Sequence, residues 1–476
     1  MTTTRFARVI GPAALVLAAA CSDNHYNILN TNSPTVEQLT GAPNRAILGR
    51  AALGVAAQAA NDLGGEISFY AIFGREGYNL LGNDPRLTQE MLRGPLEAGG
   101  FGGANFQGKY ISLRTINVYL TAIDQADDLT PAEKSASKGF AQTIKALHFL
   151  RLIIRNGVLG TPIQVEAGLD EPPAPFVSQT GVYAYILAAL DSAKAALQAG
   201  GSAFPFNIPA GFELANTPAN FIKFNRALYA KAQVLRAGLA GGGNAAYTAA
   251  LTALGESFID RTGSLNAGVF YAYSSASGEP SNPIAENLTA QRFYIHNSIV
   301  SGAQNKANGQ PDNRLGRKVG AAQGPARDRT QGNLPLHNFK PTVYSNADGS
   351  ADLGADIPII KNEELILLAA EANWFAGAKQ SAIDDINLIR SVSGGLAPSA
   401  LTTGSTDAQF LDELLYNRLY SLLWEQGTRW VDARRFNRLS TIPLDRAGDV
   451  TFQNMLVPGV ECDARGLSIP CTPPTS

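Results

Sequence analysis

The chain is poor in the residues that build metal and redox centres: its 476 positions hold three cysteines and four histidines. No C-x-x-C or H-E-x-x-H occurs, so no metal site and no zinc chemistry is expected. Charge is scarce as well, at 16% Asp, Glu, Lys and Arg, with 38 basic against 40 acidic residues and no long run of either sign. That balance lacks the basic footprint of nucleic-acid binding, so no nucleic-acid partner is expected. No G-x-S-x-G nucleophile elbow is present. Gly103-x4-Gly108-Lys109-Tyr110 comes within one residue of a phosphate loop. Tyr110 replaces the Ser or Thr that would hold magnesium, and no apolar strand precedes Gly103, so the stretch reads as a Gly-rich entry into a helix. No cofactor is expected. His148 falls on an apolar helical face and reads as a satisfied core histidine, while His296 and His337 have no Ser or Cys partner in any recognisable motif. At 45% hydrophobic residues the chain is neither disordered nor a polytopic membrane protein; it reads as one large soluble body.

Residues 1–20 place Arg5 and Arg8 ahead of an apolar run ending at Ala20, followed by Cys21. This is the layout of a bacterial export signal, and the run is too short to span a bilayer. Small residues ending directly at a cysteine resemble a lipobox, although Ala18 stands where that box usually has Leu. Lipidation of Cys21 is therefore expected, with membrane attachment through the acyl chains and no span. The polar stretch 21–32 reads as a tether. The two remaining cysteines, Cys462 and Cys471, are nine positions apart in an exported chain and are expected to form a disulfide.

The body, 33–476, is expected to be one domain. Ser33-Pro34, Thr130-Pro131-x-Glu133, Thr217-Pro218 and Thr406-x-x-Gln409 carry the residues of helix N-caps, two of them as capping boxes. After Thr130, the residues Ala136, Phe140, Thr143, Leu147, Leu150 and Ile154 recur at steps of three and four, one polar among them. A preceding stripe, Leu113, Ile116, Leu120 and Ile123, predicts an antiparallel helix hairpin across a short link. Similar pairs are predicted from Val182–Leu197 with Phe221–Leu239 and from Glu363–Ala376 with Lys379–Val392, with Gly241-Gly242-Gly243 as a turn between helices. One hairpin cannot bury its apolar face alone, so the fold class is mainly α, a tetratricopeptide-like superhelix of hairpins. Two regions, 61–106 and 261–358, lack sustained periodicity and are expected to be long irregular loops.

The stretch 406–439 is the most informative. Its positions 411, 414, 415, 418, 419, 422 and 423 trace one helical stripe, and Gly427 predicts a break before Arg429 and Asp432. The run Glu425-x-Gly427-x-Arg429-Trp430-x-Asp432-x-x-Arg435, preceded by Pro358–Ala372 and by Asn387-x-x-Arg390, resembles the C-terminal half of the SusD/RagB family of outer-membrane nutrient-uptake lipoproteins. The motifs cover 358–439; the chain departs from the family at Asn417, where Glu often precedes the arginine kept here as Arg418. Asn387, Arg390, Arg418, Glu425, Arg429, Trp430, Asp432 and Arg435 form a structural signature, because acids mixed with arginines usually make ion-pair networks that fix a helix junction. Glu425 and Asp432 do not read as a glycosidase pair, since the adjacent arginines would depress both carboxyls and leave no proton donor, and the chain is not expected to be an enzyme.

The resemblance implies a lipid-anchored protein on the outer membrane, facing the exterior, that binds a nutrient in loops and passes it to a SusC-like TonB-dependent transporter. The ligand is expected to be an oligosaccharide, with peptide or another nutrient as the alternative. A helical-repeat envelope scaffold is the rival from a different class. Candidate ligand residues are Tyr70, Phe73, Arg75, Tyr78, Asn79 and Phe101 in the first loop region, with Asn105 nearby, and Tyr271 and Tyr273 in the second. Rings suit the CH faces of sugars, and Arg and Asn orient hydroxyls.

Overall fold

In the computed structural model, residues 34–475 are described apart from 167 and 169. The export signal, Cys21, the tether and Ser33 lie outside the described residues. The first helix, α1 (Val36–Thr40), is capped by Thr35 where Ser33 was expected: the Thr35 hydroxyl accepts from Gln38 N and the Gln38 side chain accepts from Thr35 N. Next come α2 (Arg45–Gln58), α3 (Leu63–Phe73), α4 (Gln107–Gln125), α5 (Pro131–Asn156), α6 (Gln179–Gln198), α7 (Pro218–Arg236) and α8 (Gly243–Gly255). The C-terminal part adds α9 (Asn362–Phe375), α10 (Lys379–Ile389), α11 (Asp407–Ser421), α12 (Thr428–Arg435) and α13 (Gly459–Ala464).

From α4 to α10 each helix packs on its successor in the chain, which is the stacking of a helix-hairpin superhelix. The caps at Thr130, Thr217 and Thr406 form as their residues dictate. Along α5 the predicted stripe is buried except for half-buried Ile154. Its polar member, Thr143, donates to Gly139 O and accepts from Asn225 of α7 at 3.0 Å, so its hydroxyl is satisfied. Phe140 is fully buried against Phe206 and Phe221, each with ring centroids at 5.2 Å, a burial worth about 1.5–3 kcal/mol. His148 is buried too, but neither ring nitrogen has a hydrogen-bond partner, contrary to the expected satisfied histidine; burial holds it neutral, well below the usual histidine range.

The region 61–106 opens with a helix rather than a loop. α3 is buried along most of its length, its Glu66 and Ser68 included, so it shows no amphipathic period to betray it. Short antiparallel strand pairs tie the two loop regions to the body. β1 (Gly77–Asn79) pairs with β3 (Phe293–Ile295), and β2 (Gly268–Tyr271) pairs with β6 (Ile357–Lys361), which leads directly into α9. β4 (Val319–Ala321) pairs with β5 (Phe339–Pro341). Among the described residues no helix is long and apolar enough to cross a membrane.

Candidate functional site

Most of the aromatic candidates belong to the core. Tyr70 and Phe73 on α3 pack on Trp430, with centroids at 4.9 and 5.4 Å. Arg75 is fully buried and spends its guanidinium on the carbonyls of Ile72, Leu92 and Val450. Tyr78 is 1% exposed and donates to Asp445 at 3.1 Å, and buried Tyr271 lies under Arg151, 5.7 Å from its ring centroid. These five cannot present a face to a ligand in this conformation. Asn79, Phe101 and Tyr273 keep partial exposure. Asn79 accepts from Leu81 N, Phe101 lies edge-on to Phe69 beneath Arg86, and Tyr273 N donates to Asp356, so the three form no common platform.

The signature residues do form a junction. α11 ends at Ser421, and the chain turns through Gly427 (φ +62) into α12. A Cβ on Gly427 would stand 2.2 Å from that of Tyr70, so this close approach of α3 needs glycine. Arg418 bridges Glu371 of α9 (2.7 Å) and Asp432 of α12 (3.1 Å), and Arg435 contacts the same two carboxylates. Glu425 pairs with Lys318 and Lys361, so its cations are lysines rather than the neighbouring arginines. Burial pushes its carboxyl up, but the two lysines outweigh burial and hold it below the usual glutamate range. Arg429 donates to Arg75 O, Trp430 to Phe452 O, and Arg390 pairs with Glu413. Asn387 accepts from Ser399 N at 2.7 Å.

The described residues form a broad cleft of about 840 Å³, within the size of ligand-binding pockets, and a further one of about 620 Å³ between α8, α9 and α10. The floor of the first is the Gly-rich loop before α4 and the first turns of that helix; Pro162, Gln164, Gly168 and residues 171–174 on one side and α13 on the other form its walls. The Gly-rich stretch is a helix entry, as expected. A Cβ on Gly103 would meet Ala98 O at 2.0 Å, so the loop can double back on itself only with glycine there. Lys109 points inward to Glu66 (2.7 Å) and Asn105 O, away from any phosphate. Cys462 is bridged to Cys471, and α13 is anchored to both other sides of the cleft: Gly459 N donates to Ala98 O, and Arg465 donates to Ala174 O.

At the base of the cleft lie Asp62 and Asn105, whose buried Oδ2 and Nδ2 atoms have no hydrogen-bond partner. Asp62 Oδ2 stands 3.9 Å from Lys109 Nζ, and an acceptor and a donor of this kind suit a hydroxyl group. Arg114 and Glu461 add charge, and Ile111 (55% exposed) and Val460 (71% exposed) offer apolar surface on facing sides. Of these, only Asn105 stood near the sequence candidates. The others carry no local signal, because the cleft is assembled from segments far apart in the chain. A small cavity, about 80 Å³ between α3, α5 and α12, has room for a few waters and no more.

No curated protein matches the sequence. A model of the SusD family matches residues 238–463. Among solved structures, the chain is similar to B. fragilis NanU, with a TM-score of 0.67 at 16% identity over 93% of this chain and 99% of that one. A SusD superfamily protein from Bacteroides vulgatus gives a TM-score of 0.67 at 14% identity, covering 89% and 97%. Surface glycan-binding protein A from Bacteroides thetaiotaomicron, in complex with laminarihexaose, gives 0.63 at 13%, covering 89% and 98%. At these identities the structural likeness is one of fold, and it extends the agreement well beyond the matched C-terminal half. The family model spans the α9–α12 junction and its charge network, and the superhelix is shared along nearly the whole body, so the chain matches the SusD family across its C-terminal part and has the fold of SusD superfamily structures throughout.

Proposed function

We propose that this protein is a lipid-anchored binding protein of the outer membrane that takes up an oligosaccharide in the cleft over α4 and passes it to a SusC-like TonB-dependent transporter. The observation that carries this reading is the cleft itself: wide and polar at its base, with apolar rims at Ile111 and Val460. A sugar offers hydroxyls to the first and CH faces to the second. The laminarihexaose held by a glycan-binding protein of the same fold supports the ligand class. Asp62, Asn105, Ile111, Arg114, Val460 and Glu461 replace the buried tyrosines as proposed contacts. Binding without bond cleavage is supported by the charge pairing of Glu425 and Asp432, which leaves neither free as a proton donor. Cys21 is the proposed lipid attachment site.

The test is to purify the full-length lipoprotein gently from its native host and to screen it against a glycan array. Recovery of a large β-barrel transporter together with saturable glycan binding supports the reading. Recovery of envelope-assembly factors, with no glycan or peptide bound, replaces it with the scaffold reading.

A further inference from the structure

His296, His337 and Asp445 come from three separate segments: the end of β3, the approach to β5, and the C-terminal stretch after α12. Their donor atoms converge on one point, all within 4.8 Å of one another. Both histidines are buried, at 2% and 0% exposure, and the Asp445 side chain keeps 14%. The two Nε2 atoms stand 3.3 and 3.2 Å from the same oxygen, Asp445 Oδ2, and neither makes a hydrogen bond.

The other ring nitrogens fix how the two rings face this point. His337 Nδ1 lies 2.6 Å from Pro335 O, which can only accept, so Nδ1 carries a proton and Nε2 is the nitrogen turned toward the carboxylate oxygen. His296 Nδ1 accepts from Ser298 N at 3.1 Å and lies 2.8 Å from Ser298 Oγ, so coordination through Nε2 requires the ring proton to move to Nδ1, where Ser298 Oγ can accept it. The two separations from Asp445 Oδ2, 3.3 and 3.2 Å, also match those between neighbouring ligands of a coordination shell. A tetrahedral zinc with bonds of about 2.0–2.1 Å sets neighbouring ligand atoms roughly 3.3 Å apart. Tyr78 donates to Oδ2 at 3.1 Å and fixes the carboxylate, the usual task of a group behind a metal ligand.

We propose that His296, His337 and Asp445 bind a divalent transition metal of the zinc class, with water completing the shell. The ion cross-links the β1–β3 pair, the loop before β5 and the C-terminal stretch. Sequence spacing cannot show such a site, because its ligands share no segment.

The test uses the full-length chain without a histidine tag, stripped with chelator and titrated with zinc against a competing dye. One zinc per chain and a raised melting temperature are expected, with cobalt giving the visible absorption of a tetrahedral site. Asp445→Asn and His337→Gln should each weaken zinc binding at least tenfold, whereas His25→Ala and Cys21→Ser should leave it unchanged. Failure of the wild type to take up zinc overturns the proposal and leaves the cluster held by protons alone; so does undiminished binding in the two variants. Should the variants not fold, wild-type stoichiometry and the cobalt spectrum decide, since the only other histidines are His25 and His148.

Discussion

Arg435 grips Glu371 with both ends of its guanidinium, Nη2 at 2.8 Å from Oε2 and Nη1 at 3.1 Å from Oε1. The paired geometry fixes α12 against α9, and Arg418 shares the same carboxylate from α11. Three helices from the C-terminal part therefore meet on one fully buried acid. Such a pair is worth little over an apolar core of the same shape, but removing one member strands the other charges.

Glu371→Gln should therefore destabilise the protein by about 3–5 kcal/mol at neutral pH, because Arg418 and Arg435 keep only Asp432 between them. Burial raises the Glu371 carboxyl, but Arg435 and Arg418 outweigh it and hold the group below its ordinary value of 4.5. A depressed folded-state pKa gives stability that is complete above the unfolded value and fades as pH falls through the folded one. Urea unfolding from pH 7 downward should show the gap between variant and wild type narrowing only below about 4.5. A gap already closed at pH 6 would mean that the carboxylate is not the group at work.

The parts of this fold that are legible in the sequence are those with a local cause. Thr130 and Thr406 announce their helices because a cap needs residues only three positions apart. The break at Gly427 is likewise local. α3 is hidden because a helix buried on all sides has no polar face to set its period. The tyrosines mislead for a related reason: whether Tyr78 lines a loop surface or fills the core is decided by Asp445 and the two histidines around it, far along the chain. The cleft, built from segments distant in the chain, is a property of their assembly.

The Cys462–Cys471 bridge closes a short loop behind α13 and completes a small core with Phe176 and Val457. The chain-entropy estimate for a ten-residue loop is about 2.5 kcal/mol. Cys462→Ser with Cys471→Ser should lower the melting temperature and, because α13 walls the cleft, weaken ligand binding in parallel. Hydrogen exchange should then rise first in 456–467. Unchanged exchange there would detach the bridge from the cleft.

Core and cleft substitutions should separate cleanly. Tyr78→Ala removes a buried ring and its hydrogen bond and should cost about 3–5 kcal/mol, with binding lost only as the fold is lost. Val460→Trp adds bulk to an exposed side chain at the mouth of the cleft and should abolish ligand binding at an unchanged melting temperature. Isothermal titration and calorimetric scans of both variants check this. The opposite pattern would return the ligand site to the β1 region.

The Gly-rich loop offers a test within one segment. A Cβ at Gly103 would stand 2.0 Å from the backbone oxygen of Ala98, a contact that no side-chain rotation relieves, whereas at Gly99 it would meet nothing within 4 Å. Gly103→Ala must shift the loop, at a cost of about 1–3 kcal/mol as in other overpacked sites. The shift also moves Ala98 O away from Gly459 N and so displaces α13 from the cleft. Gly99→Ala has no such conflict and should be neutral, or stabilising by about 0.4–1 kcal/mol through a less flexible unfolded chain. Thermal unfolding and ligand titration of the two variants should thus diverge, Gly103→Ala losing both stability and affinity and Gly99→Ala losing neither. Equal losses at both positions would mean that the loop, rather than its contact with α13, is what the ligand requires.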